Sequence, residues 1–295
     1  MVLIVFLLAY IVRRRLDTHN SLSGDKLWRH WFHQAVKVEA GHESGIAGGL
    51  ALVVLPALIL GLGMYLLDAV GWRVVGYPIE WLILILMMGA PGWRPILQSY
   101  SVSWQRGDMQ AAWLIVEDRL PPEERGAASS PDVMHLTLSK AFLVGVFQRF
   151  FLVGFWYVVG GIGLAVLARG LVALSEQWPQ AAARTRFQRL AEWMAWLPVR
   201  LLSVTFGIAG DLAGWLREFP ASVGGVSKKT ADVLMISANG SLTGYALDPE
   251  RFSRIHPDEW VDFGGRSLGA ILDLLNRSML VWICGLALLV IFGVL

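Results

Sequence analysis

AFLVGVFQRFFLVGFWYVVGGIGLAVLA, running from Ala141 to Ala168, is the stretch that decides the fold. Of its 28 residues, only Gln148 and Arg149 are neither apolar nor small. At 1.5 Å per helical residue, about 20 residues cross a hydrocarbon core of roughly 30 Å. A helix on a soluble domain needs a polar face on every turn, and this run has none after Arg149. It reads as a transmembrane helix with length to spare for tilt.

Other segments repeat the pattern: 2–12, 45–68, 78–90, 198–216 and 279–295. Val2 to Val12 has the length of a signal-peptide core. However, Arg13, Arg14 and Arg15 follow it instead of preceding it, and no small-x-small site comes next. It reads as a retained N-terminal membrane segment. Pro56 kinks the second run, and Gly45 with Gly49 forms a small-residue GxxxG face. The third run, bracketed by Trp72, Trp81 and Trp93, is short and either crosses or re-enters. Gln177 to Leu197 reads as an amphipathic helix lying in the headgroup plane. Phe187, Leu190, Met194 and Leu197 mark one side, and Arg184, Arg186 and Arg189 another. Gly207, Gly210 and Gly214 line the 198–216 run.

Composition agrees. The 295 residues are 55% hydrophobic and 16% charged, against about 25% charged in soluble domains. Mean hydropathy is +0.54. Fourteen Trp suit the interfacial level of a bilayer. A net charge of +2 with interspersed acids leaves no cationic stripe, which excludes nucleic acid as a partner. The lone Cys284 forms no intrachain disulfide and reads as a small apolar residue.

The fold expected is an all-α integral membrane protein, one polytopic domain over residues 1–295. It has four to six transmembrane helices plus interfacial amphipathic helices and two long cytoplasmic loops. The polar segments are 13–44, 91–140 and 217–278. If all six runs cross, these three share a side with 6, 5 and 7 Lys and Arg, against 1 and 4 on the other. The positive-inside rule places the richer side in the cytoplasm.

Candidate site residues follow from charges at depth. An intramembrane charge costs about 2.5–3.5 kcal/mol on insertion scales and faces a partner or a wet cavity. Arg149, beside Gln148, is one such charge; Arg200 and Asp211 in the 198–216 run are others. The two arginines suit bidentate binding of a phosphate or carboxylate. The simpler alternative is that each snorkels to its own interface, Arg200 and Asp211 from positions three turns apart on one helix. Glu117 and Asp118, near Glu123 and Glu124, suit Mg²⁺ beside a phosphate or a solvated loop face, and with Lys140 they would handle a nucleotide if the chain is an enzyme. His30 and His33 share a helical face but lack a third ligand at a convincing spacing, while His256, Asp258, Glu259 and Asp262 suit a metal or, given Pro257, a loop or helix start. Gly224 to Thr230 approaches a phosphate loop, yet Lys228 stands where the second Gly is required. No inverted repeat points to a transporter.

Two motifs carry a family resemblance. Gln148-Arg149-Phe150-Phe151-Leu152-Val153-Gly154-Phe155-Trp156-Tyr157-Val158-Val159-Gly160-Gly161 and Trp196-Leu197-Pro198-Val199-Arg200-Leu201 resemble the AmpE proteins, within the wider CobD/CbiB superfamily. The resemblance covers residues 140–215 best. It implies a multi-pass protein of the bacterial inner (cytoplasmic) membrane with a regulatory role in β-lactamase induction. Such a protein would bind an anionic small molecule or another membrane protein without catalysis. The CobD/CbiB branch implies an alternative, an ATP-dependent ligase joining an aminopropanol-type amine to a cobyric acid. That branch carries acids and an amide just before the central span. Here Phe142 to Arg149 supplies Gln148 and Arg149 instead. ATP and Mg²⁺ enter only with that alternative; otherwise no cofactor is identified.

Overall fold

A computed structural model describes residues 1–18, 24–35, 46–89, 93–120, 125, 130–222 and 228–293. Gly45, Glu123, Glu124 and residues 224–227 of the phosphate-loop-like stretch lie outside the described residues. Among the described residues every regular element is a helix. In order they are α1 (Val2–Thr18), α2 (Gly24–Ala35), α3 (Ile46–Ala69), α4 (Arg73–Met87), α5 (Trp93–Gln105) and α6 (Met109–Val116). A 3₁₀ turn (Glu117–Arg119) is followed by α7 (Pro131–Val146), a π-helical turn (Phe147–Phe151) and α8 (Leu152–Gln177). Then come α9 (Ala181–Ala209), α10 (Leu212–Ser222), α11 (Thr230–Ser241), α12 (Pro249–Ile255) and α13 (Trp260–Ile291).

Three helical stretches are long and apolar enough to cross a membrane: Ile46–Ala69, Pro131–Gln177 and Pro257–Ile291. They contain the 45–68, 141–168 and 279–295 runs almost entirely. The other runs take different shapes. Helix α1 continues through all three arginines to Thr18, and α4 starts at Arg73 and carries Pro78 inside it. At 17 and 15 residues they measure about 26 and 23 Å, short of the hydrocarbon thickness. The expected interfacial helix and the 198–216 run are not separate elements. Helix α9 passes through Pro198 without a break and stops at Ala209, and Asp211 starts the next helix. Much of the polar segments 91–140 and 217–278 is helical too. Trp93, Leu97, Tyr100 and Trp104 recur at helical spacing and bury one face of α5.

The chain forms two compact units. One comprises Met1–Pro91, Val146–Pro198 and Phe292–Leu295, and the other Gly92–Gly145 and Val199–Ile291. In the first unit α3 packs on α8 through small residues. A Cβ on Gly163 would stand 2.8 Å from the Ala57 carbonyl oxygen and 3.0 Å from the Gly61 Cα. Gly49 meets the rings of Phe187 and Trp178, and Gly154 meets Phe6. The opposite face of α3 is apolar and exposed. Leu58 is 62% and Ile59 69% accessible, with Leu55, Leu62 and Leu66 alongside. Arg13 is buried, donating to Asp17 at 2.9 Å and to the Ile85 carbonyl at 3.2 Å. In the second unit Tyr100 and His135 pair at 3.1 Å inside a nest of Trp104, Trp260 and Phe263.

The central run departs most from the expectation. Its helix breaks at Gly160 (φ −144°, ψ 22°) and Gly161 (φ +71°, ψ −169°). Arg149 and Glu176, on opposite sides of the break, approach to 3.8 Å. A straight helix would hold these two positions about 40 Å apart. Extended side chains place their Cα atoms within about 16 Å. The chain therefore doubles back at the glycine pair. Residues 152–159 and 162–177 form the arms of a helical hairpin, not one continuous rod.

Candidate functional site

The hairpin brings together what its sequence keeps apart. Gln148 and Arg149 sit in the π-helical turn that precedes the first arm. A π turn inserts one residue into the helical repeat, re-aims the side chains beyond it and recurs at functional sites. Arg169 and Glu176 lie seven residues apart on the second arm, two turns along one face. Asp25 comes from the first turn of the amphipathic helix α2, far away in the chain.

Asp25 bridges the two arginines. Its Oδ2 accepts from Arg149 Nη2 at 2.9 Å, and its Oδ1 accepts from Arg169 Nη2. Glu176 Oε2 lies 3.8 Å from Arg149 Nη2 and 3.9 Å from Arg169 Nη1. Arg169 is almost wholly buried, at 2% accessibility. Next door, Arg29 Nε donates to Gln177 Oε1 at 3.1 Å. Trp28 stacks on Phe32, Phe32 meets Trp178 edge to face, and Trp178 meets Phe187 of α9 in the same way, so four rings seat α2 against the start of α9. Two guanidiniums and two carboxylates thus share one site with no net charge, its edge open on the Asp25 and Glu176 side.

Burial works against ionising Asp25. The guanidiniums of Arg149 and Arg169 outweigh it and hold the carboxyl at about 2, below its ordinary 3.8. A depressed carboxyl stabilises the fold above its unfolded value and loses that contribution as pH falls through its folded one. Stability is therefore expected to drop between about pH 4 and pH 2, by roughly 2 kcal/mol from this group. Unfolding in detergent across this pH range measures the drop. The Asp25→Asn variant is expected to have a visibly shallower acid limb, and an unchanged limb would refute this account of Asp25.

The other predicted site residues lie elsewhere. Arg200 is buried on α9 and Asp211 exposed, both in the second unit, whereas Arg149 belongs to the first. Asp211 Oδ1 accepts from the Ala213 amide at 3.0 Å, and its own amide donates to Ser241. It works as a helix cap. The expectation that Arg200 and Asp211 share one helix fails because α9 ends before Asp211. Glu117 and Asp118 form the 3₁₀ turn after α6, with the Asp118 carbonyl accepting from Arg125, and Lys140 lies on α7. His30 and His33 are exposed on α2. His256 packs between Tyr245 and Phe252, Glu259 pairs with Arg266, and Asp262 accepts from Gln105 at 3.0 Å. No group of three or more His, Cys, Asp or Glu among the described residues is placed to hold a metal.

The sequence does not single out Asp25, Arg169 or Glu176. Only the Arg169–Glu176 spacing carried a local signal, two opposite charges on one helical face. Comparison with protein-family models, curated proteins and solved structures finds no match.

Proposed function

We propose that this chain is a multi-pass protein of the bacterial inner membrane that regulates by binding, in the manner implied by its AmpE-like motifs, at the site around Arg149. Three helical stretches suited to spanning and the exposed apolar face of α3 support membrane residence. In water, an apolar patch of that kind marks an aggregation liability or an interaction surface. The observation that carries the site is the convergence of Arg149 and Arg169 on Asp25. Ionic groups are costly in an apolar surrounding and persist there where they serve a function. The first AmpE-like motif spans both the π turn and the glycine break, the two features that set Arg149 facing α2.

The reading is tested in a bacterial host with inducible β-lactamase. The chain is expected to stay with the membrane fraction after alkaline extraction and to alter the induction ratio. Arg149→Lys is expected to weaken that effect at an unchanged membrane level. Release into the soluble fraction, induction indifferent to the chain, or ATP-dependent amide formation by purified protein would each overturn it.

A further inference from the structure

Asp25 does not complete the site that it fills. Two buried polar atoms there have no hydrogen-bond partner among the described residues: the donor Arg169 Nη1 and the acceptor Glu176 Oε2. They face each other at 3.9 Å, too far for a direct hydrogen bond. A buried polar group left in that state costs about 1–3 kcal/mol. The Asp25 carboxylate has two oxygens and spends them on Arg149 Nη2 and Arg169 Nη2. A better occupant needs an acceptor that also reaches Arg169 Nη1 and a donor for Glu176.

A singly protonated phosphate group has both. Its two unprotonated oxygens accept from Arg149 Nη2 and, one oxygen receiving both, from Arg169 Nη2 and Nη1, and its P–OH donates to Glu176 Oε2. Its single negative charge replaces that of Asp25, so the site stays neutral. Sulfate and phosphodiesters keep no proton near neutral pH and would set a bare oxygen against the Glu176 carboxylate. We infer that the Arg149–Arg169–Glu176 site binds a singly protonated phosphate monoester, with Asp25 as the built-in occupant that the ligand must displace. This rests on the reading of the Arg149 site as a binding site. It ties occupancy to α2, since Asp25 on the first turn of that helix must give up the arginines.

The test uses the full-length protein at about pH 6, where a phosphate monoester is near its second ionisation. Titration calorimetry compares inorganic phosphate with sulfate. Asp25→Asn is expected to bind phosphate about tenfold more tightly than the wild type, and phosphate about tenfold more tightly than sulfate. Adding Glu176→Gln supplies an amide donor and is expected to bring sulfate level with phosphate. Equal affinity for the two anions in Asp25→Asn, or no gain over wild type, overturns the inference. If Asp25→Asn does not fold, the wild type decides. Phosphate must raise its unfolding temperature above that in sulfate at matched ionic strength, and Glu176→Gln must erase the difference; otherwise the inference falls.

Nanodiscs containing phosphatidate, a monoester, or phosphatidylglycerol, a diester, separate the sources. Preference for phosphatidate assigns a lipid headgroup. Binding of soluble phosphate without that preference assigns a soluble ligand. An absent phosphate preference in a protein that still modulates induction through Arg149 removes this inference alone and leaves the regulatory reading standing.

Discussion

Replacing Arg169 by Met is expected to lower the free energy of unfolding by about 3–5 kcal/mol, the range found when one partner of a buried ion pair is removed. Arg169 is the least accessible member of its site and supports Asp25 from the second arm of the hairpin. Met fills much of the same volume, so the loss comes from charge. Asp25 and Glu176 would share the single guanidinium of Arg149, leaving one negative charge in excess. Combining Arg169→Met with Asp25→Leu restores neutrality, with Arg149 facing Glu176. That double variant is expected to recover most of the loss, because replacing a buried pair by apolar groups is often close to neutral. Urea unfolding in detergent, followed by Trp fluorescence, gives all four corners of the cycle. A single-variant loss below about 1 kcal/mol would place the pair in the class of exposed ion pairs and remove its structural role.

The same network shows how far the sequence could be read. The helical class, the apolar runs and the prominence of Arg149 all follow from local patterns, since a 28-residue run broken only by Gln148 and Arg149 constrains the helix by itself. The partners of Arg149 do not follow. Asp25 is 124 residues away in the chain, and no periodicity links positions on different helices. Arg200 and Asp211 belong together in the sequence because both interrupt one apolar run. The break after Ala209 separates them, and Asp211 spends its carboxylate on a helix cap. The Gly160-Gly161 pair is visible in the sequence, but glycine is also common inside membrane helices as a packing residue. Only the backbone angle at Gly161 distinguishes a packing glycine from a turning one.

That angle makes Gly161 the position where one added methyl group should do the most to the hairpin. At φ +71° and ψ −169° it occupies a region that is essentially open to glycine alone. An added Cβ would meet no atom within 4 Å, so any effect of Gly161→Ala comes from the backbone and not from a clash. Such a conformation costs a residue with a side chain of order 1–3 kcal/mol, and Gly161→Val is expected to fall near the upper end, about 3 kcal/mol. The strain is relieved if 161 returns to helical angles, and that straightens the hairpin and pulls Arg169 away from Asp25. The experiment is a spin-label distance between positions 148 and 175, after the lone Cys284 is changed to Ser. The wild type is expected to give a short distance. The variant is expected to shift population toward the roughly 40 Å of a continuous helix. Gly160→Ala provides the contrast. Its φ of −144° is open to any residue, and the atoms its Cβ would meet belong to the flexible side chain of Leu164. It is therefore expected to disturb the hairpin less than the change at Gly161. Equal disturbance from the two would show that local crowding, and not the glycine-only backbone, sets the turn.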